Sequence, residues 1–225
     1  QLARRTCDGL TIPANAAAIT GNITTVQSGG GYLTLYPSDA AQPLVANSNY
    51  DPNEILNNVF TVGLGGADGA FNIFVTSTTH IVVDVTGYYA PPGAGGLYFH
   101  PLPHPVRLLE TRDNPAFPGC YKPNAPIQGG VERTQPARGV CDGLTIASDA
   151  LGIVGNATVV NANGGYLTFW PSDATRPLVA TSNFEPGQIF NRHFIVGLSA
   201  GAGAFKIFSP LTTDLVIDVS GYFAP

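Results

Sequence analysis

The chain contains an internal repeat that runs without a single insertion. Gly30–Ala40 and Gly164–Ala174 both read Gly-Gly-Tyr-Leu-Thr, then two further residues, then Pro-Ser-Asp-Ala. Equivalent residues lie 134 positions apart throughout residues 1–91 and 135–225. A constant offset over such a length indicates one folding unit present twice. The sequence therefore predicts two domains, residues 1–91 and residues 92–225.

The repeated unit has the pattern of short β-strands joined by turns. Charged residues make up only 11% of the chain, whereas Gly (27) and Pro (19) are frequent, and Ala18–Val26 alternates with period two like a half-buried strand. Regular strand spacing with turn signals between strands is typical of a sandwich or barrel. We expect an all-β fold of two tandem antiparallel β-sandwich repeats, Ig-like or jelly-roll-like. The other strands predicted in the first copy are 32–36, 44–47, 55–64, 70–75 and 80–85.

One part of the second domain has no earlier copy. After the Pro- and Gly-rich linker 91–96, the residues Leu97–Arg133 precede the point where the repeat begins again. This stretch, called the opening segment below, is predicted to supply the first strands of the second domain. We therefore expect the first domain, 1–91, to lack its own opening strands within this sequence.

Charge and hydropathy exclude two classes of partner. The net charge is −5, and Lys122 and Lys206 are the only lysines, so we expect no basic patch and no nucleic-acid partner. No apolar run approaches the ~18 residues of a membrane-spanning segment. The sequence shows no signal peptide and begins at Gln1 rather than Met, and we interpret it as a processed or partial product.

The three cysteines indicate a disulfide and an odd thiol. Cys120 and Cys141 lie 21 positions apart within the second domain, and we predict that they are bonded. Two unrelated buried thiols are the alternative. Cys7 is the repeat equivalent of Cys141, and its expected partner falls outside the 225 residues. Disulfides are typical of extracellular proteins, so the same prediction favours an extracellular or cell-surface location.

An acidic residue interrupts the last apolar strand of each copy. Asp84 and Asp218 stand among Val, Ile and Leu, where a carboxylate is costly unless it is paired. We predict a structural ion pair between Asp218 and an arginine of the opening segment, either Arg107 or Arg112, since a guanidinium suits a carboxylate. A catalytic acid is the alternative, but no second carboxylate with glycosidase spacing stands beside it.

Several motifs of the second domain resemble a known repeat. Pro105–Arg112 is similar to a "P-x-R-L-L-D-T-R" opening, and Gly165–Thr168 and Asp218–Phe223 also match that repeat, which occurs in bacterial secreted and cell-surface proteins. The resemblance implies a multidomain surface protein whose repeat has no defined catalytic residues. The chain departs from the pattern at Glu110, where Asp is preferred, and in having cysteines.

Aromatic residues on one strand face are candidates for sugar stacking. Tyr32 and Tyr36, and their equivalents Tyr166 and Trp170, lie four positions apart and so on one face of a strand. Such a face can stack on sugar rings. Packing against other parts of the protein is the alternative.

The remaining motifs are weak. Asn22 and Asn156 match the N-glycosylation acceptor pattern but lie within predicted strands. Ser199 lies in a Gly-x-Ser-x-Gly string without the following helix that a nucleophile elbow requires. His100 and His104 are separated and flanked by prolines and are too few for a zinc site. We therefore expect no enzyme activity, no metal and no cofactor.

Two functional hypotheses follow. The first is a structural extracellular repeat protein forming a stalk, sheath or filament at the cell surface, with other copies of itself or further repeats of the same chain as partners. The second is a carbohydrate-binding or adhesive module that binds cell-surface glycans through its aromatic face. Under the first hypothesis, the missing strands of the first domain come from sequence before Gln1 or from a different protein's strand, and the sequence leaves both open.

Overall fold

The structure, a computed structural model, describes residues 1–26, 29–93 and 95–225. The regular structure in these ranges is all β-strand, which confirms the all-β class. The chain divides into two units, Gln1–Ala94 and Gly95–Pro225, called units 1 and 2. The division falls inside the linker that composition predicted.

The described residues of unit 1 form eight strands in three antiparallel sheets. The sheet orders are β1-β2, β6-β3-β8 and β5-β4-β7. The strands are β1 (Thr6–Cys7), β2 (Leu10–Thr11), β3 (Ala18–Val26), β4 (Gly29–Pro37), β5 (Ser48–Pro52), β6 (Leu56–Gly63), β7 (Phe71–Val75) and β8 (His80–Tyr89).

Unit 2 has ten strands, also in three antiparallel sheets. The sheet orders are β11-β12, β16-β13-β18-β9 and β10-β17-β14-β15. The strands are β9 (Tyr98–Glu110), β10 (Arg133–Pro136), β11 (Gly139–Cys141), β12 (Leu144–Ile146), β13 (Gly152–Val160), β14 (Asn163–Pro171), β15 (Ser182–Pro186), β16 (Phe190–Gly197), β17 (Ala204–Phe208) and β18 (Asp214–Ala224).

In each unit the two larger sheets share one core. In unit 1, Ile19 and Phe60 of one sheet and Leu33 and Phe71 of the other belong to a single buried cluster. The cluster of unit 2 likewise combines residues of both sheets. Side chains of two sheets that meet in one core form the packing of a β-sandwich.

One predicted strand of the first copy is wrong. Residues 44–47 lie in a loop, and the strand is the following segment, Ser48–Pro52. The loop runs beside β4, where the Asn47 side-chain oxygen accepts a hydrogen bond from the Leu35 amide and the Thr34 hydroxyl donates to the Val45 carbonyl. Leu44 and Val45 resemble a strand in hydropathy, but their backbone follows the loop rather than a ladder.

A β-bulge marks the same point in both copies. The register between β13 and β18 shifts at Gly155, and that between β3 and β8 shifts at Gly21. A Cβ atom would lie 2.1 Å from the Asp218 carbonyl oxygen at Gly155, and 2.0 Å from the Asp84 carbonyl oxygen at Gly21. Glycine is therefore required beside each of these aspartates because the two backbones approach so closely.

Candidate functional site

The two units differ at one sheet edge. In unit 2, β18 lies between β13 and β9, and Val219 is opposite Val106 of the opening segment. In unit 1, the equivalent strand β8 pairs with β3 alone among the described residues. The outer edge of β8, together with the Cys7 hairpin β1-β2, is called the acceptor edge below.

Equivalent valines of the two units differ in their exposure to solvent. Val219 is 0% exposed and Val216 is 3% exposed. Their repeat equivalents on β8, Val85 and Val82, are 44% and 48% exposed. The residue type and the position in the repeat are the same, so the difference accompanies the pairing of β18 with β9, which β8 does not have among the described residues.

Aromatic residues extend the apolar surface of β8. Tyr88 and Tyr89 are both large exposed side chains. In unit 2, the equivalent ends of the strands are packed together, with Phe99 of β9 against Phe223 at 5.5 Å between ring centroids and His100 stacked on Tyr222 at 5.1 Å. An apolar strand edge of this kind is a template for pairing with another strand.

The opening segment also completes the core of unit 2. Its residues Val106, Leu108, Leu109 and Ile127 are buried in the cluster that includes Val219. The described residues of unit 1 include no equivalents of these positions. Ile81 and Val83 of β8 are accordingly only partly buried against the core of unit 1.

An ion-pair chain joins the opening segment to β18. Arg107 Nε donates to Asp218 Oδ1 at 3.0 Å, and Arg107 Nη1 donates to Glu110 Oε2 at 3.3 Å. Arg112 donates to the same glutamate through Nε at 2.8 Å and Nη2 at 2.7 Å. Of the two predicted partners, Arg107 is the one on Asp218. The predicted ion pair of Asp218 with an arginine of the opening segment is therefore confirmed, while the second candidate, Arg112, pairs with Glu110.

Glu110 is the residue that sequence reasoning missed. It is 0% exposed, and burial alone would raise the pKa of its carboxyl. The hydrogen bonds and charge of Arg112, with the charge of Arg107, outweigh burial and lower that pKa below its ordinary value. The signal was present, because Glu110 stands two and three positions from arginines in the Arg-Leu-Leu-Glu-Thr-Arg string.

A disulfide holds the opening segment in unit 2. Cys120 is bonded to Cys141, with 5.5 Å between their Cα atoms, as the spacing predicts. The Cys120 amide donates to the Arg107 carbonyl at 3.0 Å, and the Tyr121 amide donates to the Leu108 carbonyl at 2.8 Å. The bond therefore fixes β9 through the chain that folds back along it.

The hairpin that carries the acceptor cysteine is the same in both units. Asp8-Gly9 and Asp142-Gly143 adopt positive φ angles, as the two central residues of a tight I′ hairpin turn require. Cys7 and Cys141 each precede this turn on the first strand of the hairpin. Cys141 is buried in its disulfide, whereas Cys7 is an exposed free thiol.

The aromatic face is less accessible than the sugar-stacking hypothesis needs. Trp170 is 2% exposed and its indole N–H donates to the Ala174 carbonyl at 3.1 Å, so stacking of a sugar on Trp170 is ruled out in this fold. Tyr32, Tyr36 and Tyr166 are half-buried. Tyr32 packs against Phe74 and Tyr166 packs against Phe208. For these three tyrosines sugar stacking stays a prediction.

The two glycosylation candidates differ in exposure. Asn156 is exposed on β13, whereas Asn22 is buried on β3. The structure corrects the expectation at Asn22, because a glycan needs its acceptor amide at the surface. Glycosylation of Asn156 stays a prediction.

The remaining motif residues are Ser199, His100 and His104. The Ser199 hydroxyl is buried and accepts hydrogen bonds from the Ser172 hydroxyl at 2.7 Å and the Ala204 amide at 3.3 Å, which closes a turn. His100 stacks on Tyr222, and His104 is exposed. Within residues 1–26, 29–93 and 95–225, no group of three His, Cys, Asp or Glu could hold a metal ion. Among the same residues, no helix has the length and hydropathy that crossing a membrane requires.

Three comparisons with known proteins found no match. No family model, no curated protein and no solved structure matches this chain. The equivalent edge of unit 2, which is filled by β9, indicates what the acceptor edge can bind.

Proposed function

We propose that this chain is a structural extracellular repeat protein whose β-units are completed by strand addition, as part of a cell-surface stalk, sheath or filament. The observation that carries the proposal is the contrast between β18, which is covered by β9, and β8, which presents Val82 and Val85 to solvent. An edge strand with exposed apolar residues pairs readily with a further strand. Assembly uses this edge to join one unit to another.

Two further observations support the proposal. The Cys120–Cys141 disulfide is typical of proteins outside the reducing cytosol. The polar groups described above take part in ion pairs, turns and strand packing, which suits a protein whose role is mechanical.

Fusing residues 92–134 ahead of Gln1 tests the proposal, because this places an opening segment before unit 1 in the register that unit 2 has. We expect β8 to become covered, so amide exchange in His80–Tyr89 slows about tenfold or more. A control fusion carries Val106→Lys, Leu108→Lys and Leu109→Lys in the added copy only and leaves both units of the original chain unchanged.

Appending the same residues after Pro225 tests assembly. The acceptor edge and the added segment then lie far apart in the sequence, and head-to-tail addition should give polymers whose length grows with protein concentration, as seen by sedimentation and electron microscopy. The proposal is wrong if neither fusion protects β8 and the second stays monomeric at all concentrations.

A further inference from the structure

The inference below rests on the proposed function, because strand addition requires a segment that binds the acceptor edge and stays bound to it. In unit 2 three interactions hold the opening segment. They are strand pairing with β18, the Arg107–Asp218 ion pair and the Cys120–Cys141 disulfide. Unit 1 has the edge of β8 and the exposed thiol of Cys7 as counterparts of two of these features, and Asp84 stands at the repeat position of Asp218.

Leu97–Arg133 is already paired with β18 of unit 2, so it does not at the same time fill the edge of β8. The filled edge of unit 2 indicates the occupant that fits, a second segment with the sequence features of Leu97–Arg133.

We propose that the acceptor edge binds an opening segment of the Leu97–Arg133 type and that Cys7 locks it by a disulfide. The sequence that fits is defined by unit 2. It has apolar residues at the positions of Val106, Leu108 and Leu109, an arginine at the position of Arg107, and a cysteine thirteen positions after that arginine.

Each feature of that sequence has its counterpart on unit 1. In the register of unit 2, the residue at the position of Val106 stands opposite Val85 and the residue at the position of Glu110 stands opposite Val82, and both valines are half-exposed on β8. In the register that β9 and β18 have, an arginine at the position of Arg107 would stand opposite Asp84. The cysteine reaches Cys7, as Cys120 reaches Cys141, because the hairpin that carries Cys7 has the same turn as its counterpart. Strand pairing gives the register, and the disulfide makes the addition permanent.

The covalent step is a thiol–disulfide exchange. The Cys7 thiolate attacks the segment's cysteine in its mixed disulfide with a low-molecular-weight thiol such as glutathione. The new sulfur–sulfur bond joins Cys7 to the segment, and the bond to glutathione breaks and releases the glutathione thiolate. One disulfide is consumed and one is formed, so the step needs no further oxidant.

The test uses the 225-residue protein and a synthetic peptide, Leu97–Arg133, with Cys120 as its glutathione mixed disulfide. We expect one peptide to be added at Cys7, as found by mass mapping without reduction, together with slower amide exchange in His80–Tyr89. A bound peptide has an effective concentration near the millimolar range. At micromolar peptide, the adduct should therefore form about 100-fold or more faster than with a peptide of the same composition in scrambled order around the same cysteine.

Two variants separate the outcomes. The protein variant Cys7→Ser should still show β8 protection at high peptide concentration but form no adduct. A peptide with Leu108→Lys and Leu109→Lys should behave like the scrambled peptide. If the matched and scrambled peptides react equally fast, Cys7 is only an exposed thiol and the inference is overturned.

The failure of this inference is distinguishable from failure of the proposed function. Protection of β8 without an adduct leaves strand addition in place and removes the role of Cys7. Absence of both β8 protection and the adduct overturns strand addition at this edge as well.

Discussion

Val219 and Val85 form a natural matched pair for measuring what the opening segment contributes to stability. They occupy the same position of the repeat, yet Val219 is 0% exposed opposite Val106 and Val85 is 44% exposed. Substitution of each by alanine removes the same two carbon atoms. Any difference in the loss of unfolding free energy therefore reports the cover provided by the opening segment.

The expected magnitudes follow from burial. A buried methylene contributes about 0.8 kcal/mol, so Val219→Ala loses about 1.6 kcal/mol of transfer free energy. The cavity left in a closed core adds to this and brings the loss to roughly 2–3 kcal/mol. Val85→Ala loses about half of the transfer contribution and leaves no closed cavity, so we expect a loss below about 1 kcal/mol.

The chain allows the two units to be followed separately. Its single tryptophan, Trp170, is buried in unit 2, so urea unfolding monitored by tryptophan fluorescence reports unit 2. Amide exchange in Ala18–Val26 reports the core of unit 1. The dependence of free energy on urea should stay unchanged, since neither substitution alters the surface exposed on unfolding appreciably.

Equal losses at the two valines would refute the reasoning, because exposure would then not decide the outcome. So would a loss below about 1 kcal/mol for Val219→Ala, since no buried valine in a closed core should be that tolerant. Once the acceptor edge is filled by the fusion described above, Val85→Ala should become as costly as Val219→Ala.

Three further predictions concern the polar and covalent links of unit 2, all measured by tryptophan fluorescence. Glu110→Gln should lower its unfolding free energy by about 2–3 kcal/mol, because Arg107 and Arg112 keep their charges without a carboxylate, and a loss no greater than that of the exposed control Glu185→Gln would contradict this. The lowered pKa of Glu110 means that the unfolded chain takes up its proton at a higher pH than the folded chain, so this contribution is present above about pH 4.5 and is lost as the pH falls further; in Glu110→Gln the acid dependence should be shallower, and an identical pH profile would disprove the assignment. Replacing both Cys120 and Cys141 by serine should cost about 3 kcal/mol in the chain-entropy description, whereas Cys7→Ser should leave unit 2 unchanged, and equal effects would contradict the link.

Local signals in the sequence were sufficient for the repeat, the all-β class and most strands. The alternation of Ala18–Val26 and the glycine and proline turns act on neighbouring residues, and such effects can be read from the chain alone. The disulfide between Cys120 and Cys141 was also predictable, because only two cysteines of the chain lie within the second domain.

Tertiary structure decided the features that depend on which surfaces meet. Tyr166 and Trp170 share one strand face, but the burial of the indole depends on the residues packed around it in the fold, which its place on the strand does not specify. Leu44 and Val45 have strand-like hydropathy, but they lie in the loop before β5, which is held by the hydrogen bonds of Thr34 and Asn47. The choice between Arg107 and Arg112 for Asp218 depended on the register of β9 against β18, which no pattern within β9 specifies. The exposure of Val85 and the burial of Val219 depend on which segment lies beside each strand, which the identity of the residue does not specify.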